Sequence, residues 1–135
     1  VKKIVYTSVQ GAEENTAFSP VIQSNRQTEQ DVRESGLHWV IGRNGIYIEP
    51  DLEYLDTYKK LGVITNCAGD GKCGYTTRDE LAYAYTRMLV EDKHNNQTYN
   101  LHGEALTQTQ LSEYINMAFG TRLKYVPKLS EFVYR

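Results

Sequence analysis

Three features of the chain predict an α/β fold with parallel strands. Strand-like and helix-like stretches alternate along it as β-α-β-α-β-α-β. The short run holding Leu37, Trp39, Val40 and Ile41 is rich in the β-branched and aromatic residues that suit a buried strand, and it leads into Arg43-Asn44-Gly45. Two capping boxes, Thr77-Arg78-Asp79-Glu80 and Thr107-Gln108-Thr109-Gln110, each precede apolar residues that recur at helical spacing.

Taken in order, Ile4-Val5-Tyr6 reads as a strand that runs into Thr7 and Ser8, followed by a loop with Gly11 and Asn15. Ser19-Pro20 is a helix start, since Ser caps free amides and Pro suits the first helical position. The helix is expected to reach about Ser35, with Gly36 past its end. Its apolar face is thin (Val21, Ile22, Val32), which predicts burial on one side only. With the strand at residues 37–41 it makes a βαβ unit, expected to be right-handed. At the end of that strand, Asn44-Gly45 permits positive φ and predicts a tight change of direction.

Pro50-Asp51 opens a short helix with Leu52, Leu55 and Tyr58 on one side, and residues 61–65 form a short strand. Residues 69–74 are turn-rich and predict a hairpin or loop. They lack the Gly-Lys-[Ser/Thr] ending of a phosphate-cradling loop. The first capping box starts a helix whose face carries Leu81, Ala84, Tyr85, Met88 and Leu89. Residues 97–101 read as a strand. The second box starts a helix with Leu111, Tyr114, Ile115 and Ala118, ended by Gly120. Residues 123–126 are strand-like, and Ser130 is expected to open a last helix.

The 135 residues suit one domain and can bury roughly two-thirds of the unfolded surface. The apolar fraction is 40%, and eleven tyrosines supplement it, each able to bury a ring while keeping a polar tip. Net charge is −2 and no basic cluster exceeds a Lys-Lys pair, which argues against nucleic acid or an anionic membrane as partner. No stretch approaches the about 20 apolar residues of a membrane span. Cys67 and Cys73 have neither a CxxC nor a zinc spacing, so no metal site is expected; they read as free thiols of a cytoplasmic protein. The chain opens on Val1 within a strand, without a charged-then-apolar leader, and reads as cut from a longer one.

For function, the strand ending at Asn44-Gly45 matters most, because ligands of parallel sheets bind at the carboxyl ends of the strands. Two readings stay open for Thr7 and Ser8: polar strand ends or ligand contacts. Tyr47 is core filler or a substrate wall. Asp79 reads as a first-turn charge suited to the helix dipole. His38 reads as a strand residue, His94 as an exposed loop residue. With His102 they are scattered, and no Ser sits in a Gly-x-Ser-x-Gly elbow, so no hydrolytic triad is expected.

Several pieces together resemble a known family. Val5-Tyr6-Thr7-Ser8, Gln27-Thr28-Glu29, Glu34-Ser35-Gly36-Leu37, Arg43-Asn44-Gly45, Ala68-Gly69-Asp70-Gly71-Lys72 and Thr77-Arg78-Asp79 resemble, in order and spacing to about Val126, the atypical short-chain dehydrogenase/reductases. The closest subgroup is the NmrA-like NAD(P)H-binding proteins, which include quinone and triphenylmethane reductases. The resemblance implies a Rossmann-like parallel sheet over residues 1–48 and a smaller α/β substrate region over 49–135. The glycine-rich fingerprint of the amino-terminal Rossmann half has no counterpart here, so the chain resembles the carboxyl-terminal half alone.

The resemblance further implies an NAD(P)H-dependent reductase of quinones or similar small conjugated acceptors, or else a non-catalytic NAD(P)-binding redox sensor. Thr7, Ser8, Asn25, Asn44 and Gly45 would face the cofactor, NADPH or NADH, and Ile46 and Tyr47 the substrate. The Tyr-x-x-x-Lys pair of ordinary members would fall on Val21 and Asn25. Val cannot donate a proton and Asn carries no charge, so carbonyl chemistry is disfavoured more than quinone reduction. Pro50 also stands where the family usually has a polar residue. The 135 residues by themselves are expected to bind no dinucleotide tightly and to be inactive. An unpaired sheet edge is expected to invite self-association.

Overall fold

The computed structural model describes residues 1–11 and 20–128. The elements are β1 (Lys3–Val9), α1 (Pro20–Arg33), β2 (His38–Asn44), β3 (Ile46–Tyr47), α2 (Glu49–Glu53), α3 (Leu55–Leu61), β4 (Val63–Ile64), β5 (Lys72–Thr76), α4 (Arg78–Val90), β6 (Gln97–Leu101), β7 (Ala105–Thr107), α5 (Gln108–Phe119) and β8 (Lys124–Tyr125). A single 3-10 turn, Asp92–His94, joins α4 to β6. The expected Ser19 cap and the helix from Ser130 lie outside the described residues. The α/β class read from the alternation of elements is the one observed.

The chain divides into two compact units. The first comprises Val1–Ile46 and Thr76–His102. Its sheet has the order β1-β2-β6, and both pairings are parallel. β1 and β2 lie in register from Lys3 opposite His38 to Val9 opposite Asn44. β2 and β6 pair from Val40 opposite Gln97 to Asn44 opposite Leu101. The expected βαβ unit is therefore present, with α1 as its crossover.

Side chains of β2 alternate between two helices. Arg43 reaches Glu29 of α1, whereas the Gly42 carbonyl and the Asn44 amide oxygen accept hydrogen bonds from Tyr85 of α4. The sheet is thus sandwiched, with Val40 and Ile41 at its centre fully buried and Val32, Leu81 and Met88 buried against it. A fully buried parallel strand with near-continuous apolar residues is the expected outcome of helices on both faces.

The second unit holds Tyr47–Tyr75 and the segment from Gly103 on. Its core is Leu55, Ile64, Leu111, Ile115 and Leu123, with Ile48, Tyr58, Tyr75 and Tyr125 packed against it. β4 and β8 pair in parallel, and β5 pairs antiparallel with β7. The tyrosines behave as their amphipathic chemistry requires. Tyr58 donates to Asp51 at 2.7 Å, Tyr75 accepts from Gln108 at 2.8 Å, and Tyr125 donates to the Asn66 carbonyl at 3.0 Å. Burial first, and then the bond to Asp51, push the Tyr58 hydroxyl well above its ordinary pKa.

Both capping boxes form. The Thr77 side chain accepts from the Glu80 amide, and the Thr107 side chain from the Gln110 amide, each with its reciprocal bond. Gly120 closes α5 in the left-handed region, as expected.

Four expectations are corrected. Neither Asn44 nor Gly45 has positive φ. β2 stays extended through Asn44, and the Gly45 amide donates to the Leu101 carbonyl at 3.0 Å, so the ladder with β6 overrides the local turn preference. Residues 72–74 of the turn-rich stretch are strand, held by β7, so only the part before Lys72 is a turn. Leu89 and Tyr114 are exposed, and α5 instead turns Gln108, Leu111, Ser112 and Ile115 inward. The helix from Pro50 is interrupted at Tyr54 into α2 and α3, leaving Leu55 buried and Leu52 exposed.

At Gly42 the side chain of Tyr85, from α4, lies against the sheet. A Cβ there would lie 2.3 Å from the Tyr85 hydroxyl oxygen and 2.8 Å from Leu101 Cδ1. Gly42→Ala is expected to displace Tyr85 at a cost of about 1–3 kcal/mol, the range for overpacking a filled core. Urea denaturation should show a lower midpoint with an unchanged slope; an unchanged midpoint would contradict the close packing.

Candidate functional site at the carboxyl edge of the parallel sheet

The carboxyl ends of β1, β2 and β6 place Thr7, Ser8, Asn44, Gly45 and Leu101 along one edge of the first unit. The Gln10 amide donates to the Asn44 carbonyl at 3.0 Å, so the pairing of β1 with β2 continues past the last strand residue. Thr7, Ser8, Asn44 and Gly45, singled out from the sequence, are therefore brought together by backbone pairing alone. Thr7 is exposed, and Gly45 is buried. Ile46 follows at 48% exposure and Tyr47, the first residue of the second unit, at 39%.

Ser8 is 1% exposed and donates its hydroxyl proton to Glu29 Oε1 at 2.6 Å. Glu29, also 1% exposed, is the hub of this face. Its two oxygens accept from Arg43 Nε at 3.0 Å and Arg43 Nη2 at 2.8 Å, a two-point pairing of guanidinium and carboxylate. Arg33, one turn further along α1, donates to Glu29 Oε2 at 3.2 Å and to Thr98 of β6 at 3.2 Å. Its guanidinium also lies 5.5 Å from the centre of the Trp39 ring. One buried carboxylate thereby holds groups from β1, β2 and α1, and Arg33 extends the network to β6.

Burial alone would push the Glu29 carboxyl up. The hydrogen bonds from Arg43 and Ser8, with the charges of Arg43 and Arg33, outweigh burial and hold the group below its ordinary value. Glu29 is therefore ionised and can only accept, which fixes Ser8 as the donor between them. A hydroxyl whose proton is committed inward keeps only lone pairs for a ligand.

Asn25 lies one turn before Glu29. Its Oδ1 accepts from the Tyr6 hydroxyl at 2.7 Å, and its Nδ2 donates to the Val21 carbonyl at 2.9 Å. Val21 itself is 68% exposed. Across the sheet, Tyr85 donates to the Gly42 carbonyl and to Asn44 Oδ1, which orients the Asn44 amide. His94 is half-buried, not an exposed loop residue: its ring is bonded to Tyr99 at 2.8 Å and to Glu91 at 3.1 Å. Asp79 is an exposed first-turn residue of α4.

Glu29, Arg33, Arg43, Tyr6 and Tyr85 were missed as a constellation. Glu29 and Arg43 stand in quoted motifs, yet Glu29 lies in a run of polar residues that reads as a solvated helix face. A glutamate followed four residues later by an arginine was the available signal, and it pointed to a surface pair.

The first unit also has an open surface pocket of about 270 Å³, lined by Tyr83, Arg87, Met88, His94, Tyr99 and Leu101 among others. Among the described residues no group of acidic, His and Cys side chains could hold a metal ion, and no helix is long and apolar enough to cross a membrane. Cys67 and Cys73 are both free.

Quinone oxidoreductase 2 of Escherichia coli (strain K12) is 33% identical over 126 residues, which is 93% of this chain and 43% of that protein. An NmrA-like family domain-containing oxidoreductase of Aspergillus flavus is 34% identical over 98% of this chain and 44% of its own length. The chain's homologues are NmrA-like oxidoreductases of the atypical short-chain dehydrogenase/reductase type. The structure of the Citrobacter sp. triphenylmethane reductase complexed with NADP(H) superposes on 98% of the chain, with a TM-score of 0.84 and 30% identity. The chain covers 46% of that structure, and it spans a little under half the length of the curated relatives it matches. No family model matches the sequence. The NmrA-like proteins and their structural neighbours are Rossmann-type NAD(P)-binding folds, in agreement with the parallel β1-β2-β6 sheet.

The lowered pKa of Glu29 has a signed consequence. Its folded value lies below its unfolded value, so the stability it contributes is complete above the ordinary carboxylate value of 4.5 and is lost as pH falls through the folded value. The difference in unfolding free energy between the native chain and Glu29→Gln is expected to be constant near neutrality and to shrink below pH 4.5. A difference that stays constant down to the acid limit of folding would contradict the ionised, hydrogen-bonded carboxylate.

Proposed function

We propose that this chain supplies the nicotinamide-facing and acceptor-facing part of an NAD(P)H-dependent reductase of quinones or similar flat conjugated acceptors. The observation that carries this reading is the convergence of Thr7, Ser8, Asn44 and Gly45 on the carboxyl edge of a parallel sheet, where nucleotide ligands bind in such folds. The names of the relatives, a quinone oxidoreductase and a dye reductase complexed with NADP(H), point the same way.

The donor set suits the neutral end of a dinucleotide. Arg43, the cation nearest this edge in sequence, is engaged by Glu29, whereas Thr7 and Asn44 offer uncharged hydrogen-bonding groups that match a carboxamide and a ribose. Bound there, the cofactor supplies a hydride. The chain's own residues would bind, orient and shield it. Thr7 and Asn44 would fix the plane of the ring, with the Asn44 amide already oriented by Tyr85. Gly45, with no side chain, would let a flat ring lie against backbone. Asn25, tied to Tyr6 and the Val21 carbonyl, would border the cofactor on the α1 face. Ile46, and Tyr47 next in the chain, would offer exposed apolar surface to the acceptor.

A second reading is favoured by one observation. By the resemblance, Val21 and Asn25 stand where a Tyr and a Lys would relay a proton, and the Asn25 oxygen and nitrogen each make a hydrogen bond within the protein. That arrangement also suits a redox sensor that holds NAD(P) without turnover.

The test is NADPH oxidation by the full-length gene product that carries this chain, followed by the loss of reduced-nicotinamide absorbance. Turnover is expected with a quinone and not with a simple ketone, and Asn44→Ala should lower kcat/KM about tenfold, the cost of one lost orienting hydrogen bond. Dinucleotide binding without quinone-dependent turnover would favour the sensor. Absence of binding would overturn both.

A further inference from the structure

Glu29 grips the ends of both β1 and β2 from the α1 side. Ser8 is the last but one residue of β1, and Arg43 is the last but one of β2; they face each other across the ladder on the α1 side. Both bond to the same carboxylate. The residue after Arg43 is Asn44, whose carbonyl accepts from Gln10, and the next is Gly45, whose amide donates to Leu101. The position of the edge therefore depends on how firmly the ends of β1 and β2 are held at this one point.

A buried ion pair with three separate donors contributes little net stability compared with an apolar replacement, because desolvation offsets the Coulomb gain. What it does supply is geometry. A carboxylate satisfied by a fork-shaped guanidinium on one side and a short hydroxyl bond on another admits only one arrangement of its partners. We propose that Glu29 is a positioning residue: it locks Ser8 and Arg43 so that Asn44 and Gly45 are held at the place where the nicotinamide end of a dinucleotide binds. The ligand part of this inference rests on the function proposed above; the positioning part does not. The arrangement also assigns Ser8 a role through Glu29, since its proton is spent on the carboxylate.

The experiment uses the full-length gene product, with Glu29→Gln as the first variant. Gln is the same size, but only one of its two head-group atoms accepts, so it cannot keep both bonds of the two-point pairing with Arg43. Amide hydrogen exchange at Gln10 and Gly45 reports the edge directly. It is expected to speed up about tenfold relative to Leu81 of α4 and to the amides of α5, and the Kd for NADPH is expected to rise about tenfold. General destabilisation would instead accelerate the slow amides together. Should Glu29→Gln fail to fold, Arg43→Lys keeps the charge but loses the two-point pairing, and Ser8→Ala removes only the β1 arm; either is expected to move Gln10 and Gly45 in the same direction by a smaller factor.

Local acceleration at Gln10 and Gly45 supports the positioning role. Exchange there that changes no more than in α4 and α5 overturns it, whatever the dinucleotide result. If the native protein binds no NADPH, the proposed function fails while the exchange comparison still decides the positioning role. If it binds NADPH and Glu29→Gln binds it equally tightly, the link between Glu29 and the site is overturned.

Discussion

The first unit depends on a carboxylate buried where a parallel sheet meets its crossover helix. Glu29 costs desolvation energy to bury, and its neighbours offset that cost with four hydrogen bonds from Ser8, Arg43 and Arg33. An apolar residue at this position would fill the same space, but it would deprive the largely buried Arg43 of its ion pair with Glu29. The choice of a charged hub therefore makes sense as a way of setting strand positions. It ties the ends of β1 and β2 to α1, and Arg33 carries the tie to Thr98 of β6. On the opposite face the same strand end is fixed differently, by Tyr85 lying over Gly42 where a Cβ would collide with its hydroxyl.

These two attachments explain why the carboxyl edge is ordered without needing a tight turn. Backbone pairing runs to the very end of β2 and one residue beyond, into the Gly45 bond to Leu101. A ligand meeting this edge would find preformed hydrogen-bonding groups, which lowers the ordering cost of binding. In the function proposed above, Thr7 and Asn44 offer these groups uncharged, while Arg43 is paired with Glu29 on the other face.

What could be read from the sequence was mostly local. The capping boxes at Thr77 and Thr107 are hydrogen-bonding units of four residues, so their chemistry is contained in the spelling. The βαβ unit followed from apolar and turn signals around residues 4–6 and 37–41, and the meeting of Thr7, Ser8, Asn44 and Gly45 followed from parallel pairing. The failures share a cause, which is pairing across long stretches of chain. Asn44-Gly45 is a turn signal by itself but is held straight by β6, more than fifty residues later in the chain. Lys72, Cys73 and Gly74 look like loop until β7 supplies their partners. Glu29 looks solvated in its helix because its main partner, Arg43, lies fourteen residues on. Tyr85 was placed on the correct face of α4, but its contact with Gly42 could not be read, since nothing in a helix pattern names the glycine beneath it.

The central claim is that the sheet edge held from below by Glu29 receives the nicotinamide end of the cofactor. It is tested most directly by an experimental structure of the full-length gene product with NADPH bound. The account predicts the nicotinamide ring against Gly45, with its carboxamide or ribose within hydrogen-bond reach of Thr7 or Asn44 and the Ser8–Glu29–Arg43 bonds intact. A nicotinamide ring seated elsewhere, or a Glu29 side chain that leaves Arg43 to meet the ligand, would contradict it.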